Sequence, residues 1–376
     1  MAEPFKNLLN AQVVDSAARH LARVWPAFDA RRFRSLGLKG LDDLELKARA
    51  QHLCAALEAT LPADFAQAAD IIEAALAPVR GDEDLADLRD VDAGLVGWTL
   101  WPAAEFVARR GLASPERALR TLHALTQRFT AEWAIRPFIE AHPELAFTTL
   151  AAWAVDPSPH VRRLVSEGSR PRLPWGLQLK ALIADPTATL PLLAALQDDP
   201  SEYVRRSVAN HLNDIAKDHP ARVAQWIEAH LPGASAERRA LLRHASRTLI
   251  KRGDVRVLKA WGLGRALAGE VALRVTPKRV RVGDSIALEV DLTSTARRAQ
   301  KLAIDYAVHH VKANGSLSPK VFKGWMLELA AGETRSLVKR HSMKPITTRS
   351  YHAGRHEVDV RINGQIRAQA FFDLRV

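Results

Sequence analysis

The sequence predicts a mostly α fold, a right-handed α-solenoid of helical hairpins, followed by a small all-β sandwich. Three observations predict it. Asp156-Pro-Ser-Pro-His-Val-Arg-Arg-Leu-Val recurs as Asp199-Pro-Ser-Glu-Tyr-Val-Arg-Arg-Ser-Val, offset by 43 residues, a period typical of stacked HEAT-like hairpins. From about residue 10 to 260 apolar residues recur at three- and four-residue spacings, with Ala and Leu dominant, the pattern of amphipathic helices. After Gly264 apolar and polar residues alternate, the pattern of half-buried strands.

The helices are set off by Leu61-Pro62, Gly111, His142-Pro143, Asp156-Pro157, Asp185-Pro186, Asp199-Pro200, His219-Pro220 and Leu231-Pro-Gly233. These breaks leave segments of roughly 10–17 residues. Each copy of the repeated phrase is a plausible helix start: Asp or Ser can accept free backbone N–H groups, Pro suits the first turn, and Asp199 with Glu202 fits a capping box. Arg172-Leu-Pro-Trp-Gly-Leu-Gln-Leu-Lys180 has no counterpart in the second copy. It reads as an insertion, which in a solenoid tends to fall on the binding face.

Strands are expected at Val271–Val275, Ser285–Leu292, Lys301–Val308 and Glu357–Ile362, with turns at Gly283-Asp284, Asn314-Gly315, Ala331-Gly332 and Asn363-Gly364. Six or seven short strands imply an antiparallel sandwich of immunoglobulin type, without the Cys…Trp…Cys hallmark of antibody domains. The expected division is residues 1–264 for the repeat domain and 268–376 for the sandwich.

Net charge is +12 over 376 residues, 47% of them apolar. Residues 1–160 hold 17 Lys/Arg against 22 Asp/Glu, residues 161–265 hold 18 against 10, and residues 266–376 hold 19 against 10. The basic excess lies in the later two-thirds and points to a polyanion, most commonly nucleic acid. Candidate backbone-contacting loops are Thr276–Arg281, Thr295–Arg298, Val338–His341 and Thr348–Arg355. No apolar run is long enough to span a membrane and the N-terminus lacks an apolar signal core, so a cytoplasmic protein is expected. The single cysteine, Cys54, lies in an apolar helical run and excludes an internal disulfide. Fourteen His show no repeated metal-ligand spacing, and neither a phosphate-cradling glycine loop nor a Gly-x-Ser-x-Gly elbow occurs. A monomer without metal or cofactor is therefore expected.

Residues three and four apart share a helix face. Arg163, Glu167 and Arg170 make one polar stripe, and Arg206, Asn210 and Asp214 fall at the corresponding turns of the second copy. One repeat earlier, Glu132 and Arg136 stand four apart, and Glu132 precedes Glu167 by 35 residues. Three carboxylates, Glu132, Glu167 and Asp214, thus line one face. A structural ladder of Asp and Arg between repeats is the competing account for Arg162 and Arg205. Nine tryptophans occur beside three tyrosines. Trp98, Trp101 and Trp153 sit in apolar helical patterns and read as core. Trp175, between Pro174 and Gly176 in the insertion, calls for another role, since an indole beside a carboxylate suits a cation.

The stretches Phe129-Thr-Ala-Glu-Trp-Ala-Ile-Arg-Pro-Phe-Ile139, Arg163–Gly176 and Asp199–Asp214 resemble the bacterial alkylpurine DNA glycosylases, and among them the AlkC branch more than the related AlkD. Leu44-Glu-Leu-Lys-Ala-Arg49 looks like that branch as well. The resemblance covers about residues 5–262. An appended immunoglobulin-like domain, found in some members, accounts for the remainder. It implies excision of a cationic N-alkylated base, of the 3-methyladenine or 3-methylcytosine type, from duplex DNA, with the lesion not swung into a deep pocket. Glu132 and Glu167 are then expected at the lesion nucleotide and the attacking water. Asp214 would complete the acidic site and Trp175 would pack on sugar or base. Arg163, Arg170 and Arg206 would hold phosphates, with Asn210, Asn213, Trp133 and Arg136 as further DNA contacts. The alternative is a non-catalytic scaffold binding nucleic acid or a protein, whose carboxylates would pair internally with arginines.

Overall fold

A computed structural model describes residues 4–79, 92–346 and 349–376. Sixteen α-helices, then eight strands, are present among them. The helices run from Ala11–Val24 to Val255–Ala260, and the first strand begins at Gly269. The chain groups into two compact units, Met1–Asp218 with Ala236–Ala245, and His219–Ser235 with Ser246–Val376.

In the first unit, short polar side chains start several helices. Asn10, Asp29 and Asp64 each accept backbone N–H groups at the heads of Ala11–Val24, Ala30–Leu38 and Phe65–Ala74, as caps should. His142 stands just before Pro143–Trp153 with proline at its first turn. The repeated phrases open Pro159–Gly168 and Glu202–Asp218. The expected capping box is absent: both Asp199 oxygens are taken by the Ser201 N–H and by Arg162, at 2.6–2.9 Å. Asp156 likewise accepts from the Ser158 N–H at 2.8 Å. Arg162 bridges the repeats to Asp199, as the ladder requires, whereas Arg205 donates to the carbonyls of Asp199 and Pro200 at the start of its own repeat.

The two copies diverge after their shared start. Glu202–Asp218 runs 17 residues, whereas Pro159–Gly168 stops after 10. Pro171 and Pro174 prevent its continuation, and the insertion expected at Arg172–Lys180 is irregular chain up to Leu179, with Lys180 beginning the next helix. Other helices are shorter than expected, among them Arg136–Ala141 and Lys180–Ala184. Leu164, Val165, Val204, Val208 and Leu212 supply the core between repeats, and Cys54 is buried.

In the second unit the strands are β1 (Gly269–Thr276), β2 (Arg279–Arg281), β3 (Ser285–Ser294), β4 (Gln300–Val311), β5 (Leu317–Leu329), β6 (Thr334–Ser342), β7 (Gly354–Ile362) and β8 (Gln365–Arg375). They form two sheets, β1-β3-β6 and β2-β8-β7-β4-β5. Alternate residues Ile286, Leu288, Val290 and Leu292 face Ile304, Tyr306, Val358, Val360 and Phe372 in one apolar core. The count exceeds expectation by β2, three residues paired in parallel with β8, too short to leave a periodic signal. Each expected turn separates consecutive strands, and both Asn363 and Gly364 have positive φ, as a tight hairpin requires. Val338–His341 is no loop but part of β6, since its side chains alternate across the sheet. Thr348 lies outside the described residues.

Candidate active site

The carboxylates of the polar stripes meet in one alternating row. Arg163 pairs with Glu132 at 2.8 Å and stands 3.9 Å from Glu167. Arg170 bridges Glu167 at 2.5 Å and Asp214 at 2.8 Å, and Lys217 closes the row on Asp214 at 2.7 Å. Glu132, Glu167 and Asp214 are 7%, 6% and 1% exposed, and buried polar groups of this kind need the cations and hydroxyls that meet them. Thr130 donates to Glu132 and Ser207 to Glu167, at 2.7 and 2.6 Å.

Electrostatics along the row are uneven. Burial works against the Glu167 carboxylate, but Arg163, Arg170 and the Ser207 hydroxyl outweigh it and hold its pKa below the ordinary value. Burial likewise opposes charge on Arg163, yet Glu132 and Glu167 raise its guanidinium above the usual range. Its planar group lies 4.9 Å over the Tyr203 ring. His211 is pushed down to about 4 by burial and gives its Nδ1 hydrogen to the Ser166 carbonyl, so it stays a neutral imidazole.

These contacts revise several expected roles. Arg163 and Arg170, expected to hold phosphates, are each paired with carboxylates here. Arg136 is fully buried and donates to the carbonyls of Gly168, Arg170, Pro171 and Leu177. These bonds hold the path of the insertion. Burial, with Arg170 nearby, pushes its pKa down to about 10. Asn213 is buried on the same helix as Asp214, while Asn210 meets His244 at 2.9 Å. Arg206 alone of the expected phosphate-holding arginines is exposed.

An indole row adjoins this segment. Trp101 stacks on Trp133 with centroids 4.4 Å apart, and Trp133 stands 6.5 Å from Trp175. Trp133 also donates to the Pro174 carbonyl at 3.1 Å. Of the tryptophans expected in the core, Trp101 is buried, whereas Trp98 and Trp153 are half-buried. Trp175 is 60% exposed and adopts φ +62°.

Sequence reasoning missed Thr130, Tyr203 and Ser207. Tyr203 aligns with His160 of the first copy, and the two rings meet edge to face at 5.8 Å. Ser207 lies 40 residues after Glu167, about one repeat; that spacing was the available signal. In the second unit His309, Glu357 and Asp359 come within metal-ligand reach, a grouping that sequence spacing hides. Asp359, however, is held by Arg361 through both oxygens, at 2.7 and 3.1 Å, which opposes a cation there.

Internal pairing of carboxylates with arginines would suit a scaffold as well as an enzyme, so the comparisons with known proteins decide between them. Residues 128–249 match the family described as DNA alkylation repair enzyme. Residues 270–376 match the C-terminal Ig-like domain of YhaZ. The chain is 36% identical to Bacillus subtilis protein YhaZ over 98% of its own length and 99% of that protein's. It also matches Pseudomonas fluorescens alkylpurine DNA glycosylase AlkC, solved bound to DNA containing an abasic site analog. That match has a TM-score of 0.91 and 35% identity, and covers the whole of both chains. From the row of buried carboxylates and these whole-chain matches, the chain belongs to the AlkC family of alkylpurine DNA glycosylases, DNA alkylation repair enzymes with a C-terminal immunoglobulin-like domain.

Proposed function

We propose that this glycosylase hydrolyses the N-glycosidic bond of cationic N-alkylated bases, of the 3-methylcytosine and 3-methyladenine type, in duplex DNA. The observation that carries the reading is the row of three buried carboxylates, Glu132, Glu167 and Asp214. Alkylation of a ring nitrogen leaves the base positively charged. When the C1′–N bond breaks, the base takes the bonding pair and departs neutral, so no general acid is required. The sugar is left oxocarbenium-like, and fixed carboxylates stabilise that charge more than they stabilise the ground state. Water then bonds to C1′ and its proton passes to a carboxylate. An undamaged base has no charge to stabilise and remains in place.

In this scheme Glu132 and Glu167 serve the lesion nucleotide and the water, and Asp214 fixes Arg170 beside them. Trp175 packs on the deoxyribose or the damaged base. Arg206 holds a phosphate, and the sandwich adds sequence-independent backbone contacts. The protein works as a monomer without metal or cofactor. The abasic site analog bound to the Pseudomonas AlkC corresponds to the product side of this reaction.

Single-turnover excision of 3-methylcytosine from a duplex tests the assignment. Glu132→Gln and Glu167→Gln should each slow release by about 10²–10³ while leaving thermal unfolding cooperative. If both variants retain the wild-type rate, the carboxylates are structural and the mechanism fails.

A further inference from the structure

We propose that Lys47 is a positioning residue for excision, whose ammonium holds the Trp175 backbone and so fixes the direction in which the indole meets DNA. The proposal rests on the assignment of Trp175 to the lesion nucleotide made above. Lys47, 128 residues away in sequence, donates from Nζ to the Trp175 carbonyl at 3.1 Å. Among the described residues no carboxylate pairs with it.

The conformation of Trp175 needs such a hold. A side-chain-bearing residue at φ +62° sits in a region that L-residues avoid, and it persists only where neighbours enforce it. Ring packing does little of this, because the indole is mostly exposed and the Trp133 ring is 6.5 Å away between centroids. The main chain is held instead. Trp133 takes the Pro174 carbonyl, Lys47 takes that of Trp175, and Arg136 takes that of Leu177. Gly176 completes the turn, since a Cβ there would lie 3.2 Å from Arg136 Nε and 3.3 Å from Leu173 Cδ2. Of the three anchors only Lys47 is exposed, so only its removal spares the core.

Lys47 is itself well based. It lies in the first turn of the helix Leu46–Glu58, and two residues later Arg49 is 3% exposed and donates to the carbonyls of Lys6, Leu9, Asp42 and Leu44. That fixed start gives the lysine stem a rigid origin, and a charge-assisted bond to a carbonyl then transmits position.

The experiment is a double-mutant cycle in single-turnover excision, paired with binding of undamaged duplex at several salt concentrations. Lys47→Met should slow excision about three- to tenfold, leave undamaged-duplex affinity and its salt slope unchanged, and be largely rescued by Lys47→Arg. In a Trp175→Ala background Lys47→Met should cost nothing further. Additive losses overturn the proposal, as does weaker undamaged-duplex binding with a shallower salt slope, which would place Lys47 on a phosphate. A slowed Trp175→Ala with an unaffected Lys47→Met removes the proposal alone. An unchanged Trp175→Ala removes the role of Trp175 and this proposal with it.

Discussion

At the scale of single residues, Arg170 ties the chemistry to the fold, because it touches both Glu167 and Asp214. Its loss has a predictable sign. Burial favours the protonated Glu167, and Arg163 and Arg170 together reverse that preference. Arg170→Gln leaves burial in place and removes one of the two cations, so the Glu167 pKa rises. If excision needs the carboxylate ionised, the acid limb of the pH–rate profile moves to higher pH, with the largest loss at acidic pH. A profile shifted nowhere, with the rate merely scaled down, would show that Glu167 does not govern that limb. Glu132, Glu167 and Asp214 were legible in sequence because stacked repeats bring corresponding helix turns together in space. The arginines were not, since a guanidinium that pairs with a carboxylate or caps four carbonyls has the same sequence signature as one that holds a phosphate. Arg136 shows this: its role depends on carbonyls of an insertion whose path no periodicity encodes.

At the scale of elements, the repeated phrase marks two equivalent helix starts and the bridge from Arg162 to Asp199, but not the absence of the Asp199–Glu202 capping box. Asp156 and Asp199 each accept the N–H two residues on, yet their second partners differ. Asp199 is bridged by Arg162 through both oxygens, with side chains 3% and 13% exposed, whereas Asp156 meets His123, 32% exposed. Removing Asp199 takes the carboxylate from the largely buried Arg162 guanidinium, which keeps its bonds to the carbonyls of Asp156 and Pro157, a costlier defect than removing Asp156. Urea unfolding should therefore show Asp199→Ala losing about 3 kcal/mol or more and Asp156→Ala about 1 kcal/mol. Equal losses would mean that the bridge between repeats contributes nothing beyond the local turn. Where the sequence pattern ran out, at the insertion, the cause was proline: Pro171 and Pro174 end one copy of the helix where the other continues.

For the whole molecule, the change of period after Gly264 located the sandwich, but it could not reveal which helices pack with it. Pro220–His230, Arg247–Arg252 and Val255–Ala260 fall in the same compact unit as the strands. Gly253 and Gly364, both at positive φ, approach so closely that a Cβ on Gly364 would lie 2.6 Å from the Gly253 Cα. Asn363 also donates to the Arg265 carbonyl at 2.7 Å. Cutting the chain at residue 268 would thus unpack helices as well as delete charge, so the DNA role of the sandwich is better tested by substitution in place. Among the described residues, Lys278, Arg279, Arg281, Arg297 and Arg298 are exposed and lack an ion-pair partner, unlike Arg274, which pairs with Glu289 and Asp291. Uncompensated cations of this kind bind phosphates and release counterions, each phosphate adding about 0.9 to the slope of log affinity against log salt. Arg297→Gln with Arg298→Gln should therefore flatten that slope by up to about 1.8 and leave single-turnover excision at saturating protein unchanged, since neither residue belongs to the carboxylate row. An unaltered slope would assign the +9 charge of residues 266–376 to solubility instead of to the duplex.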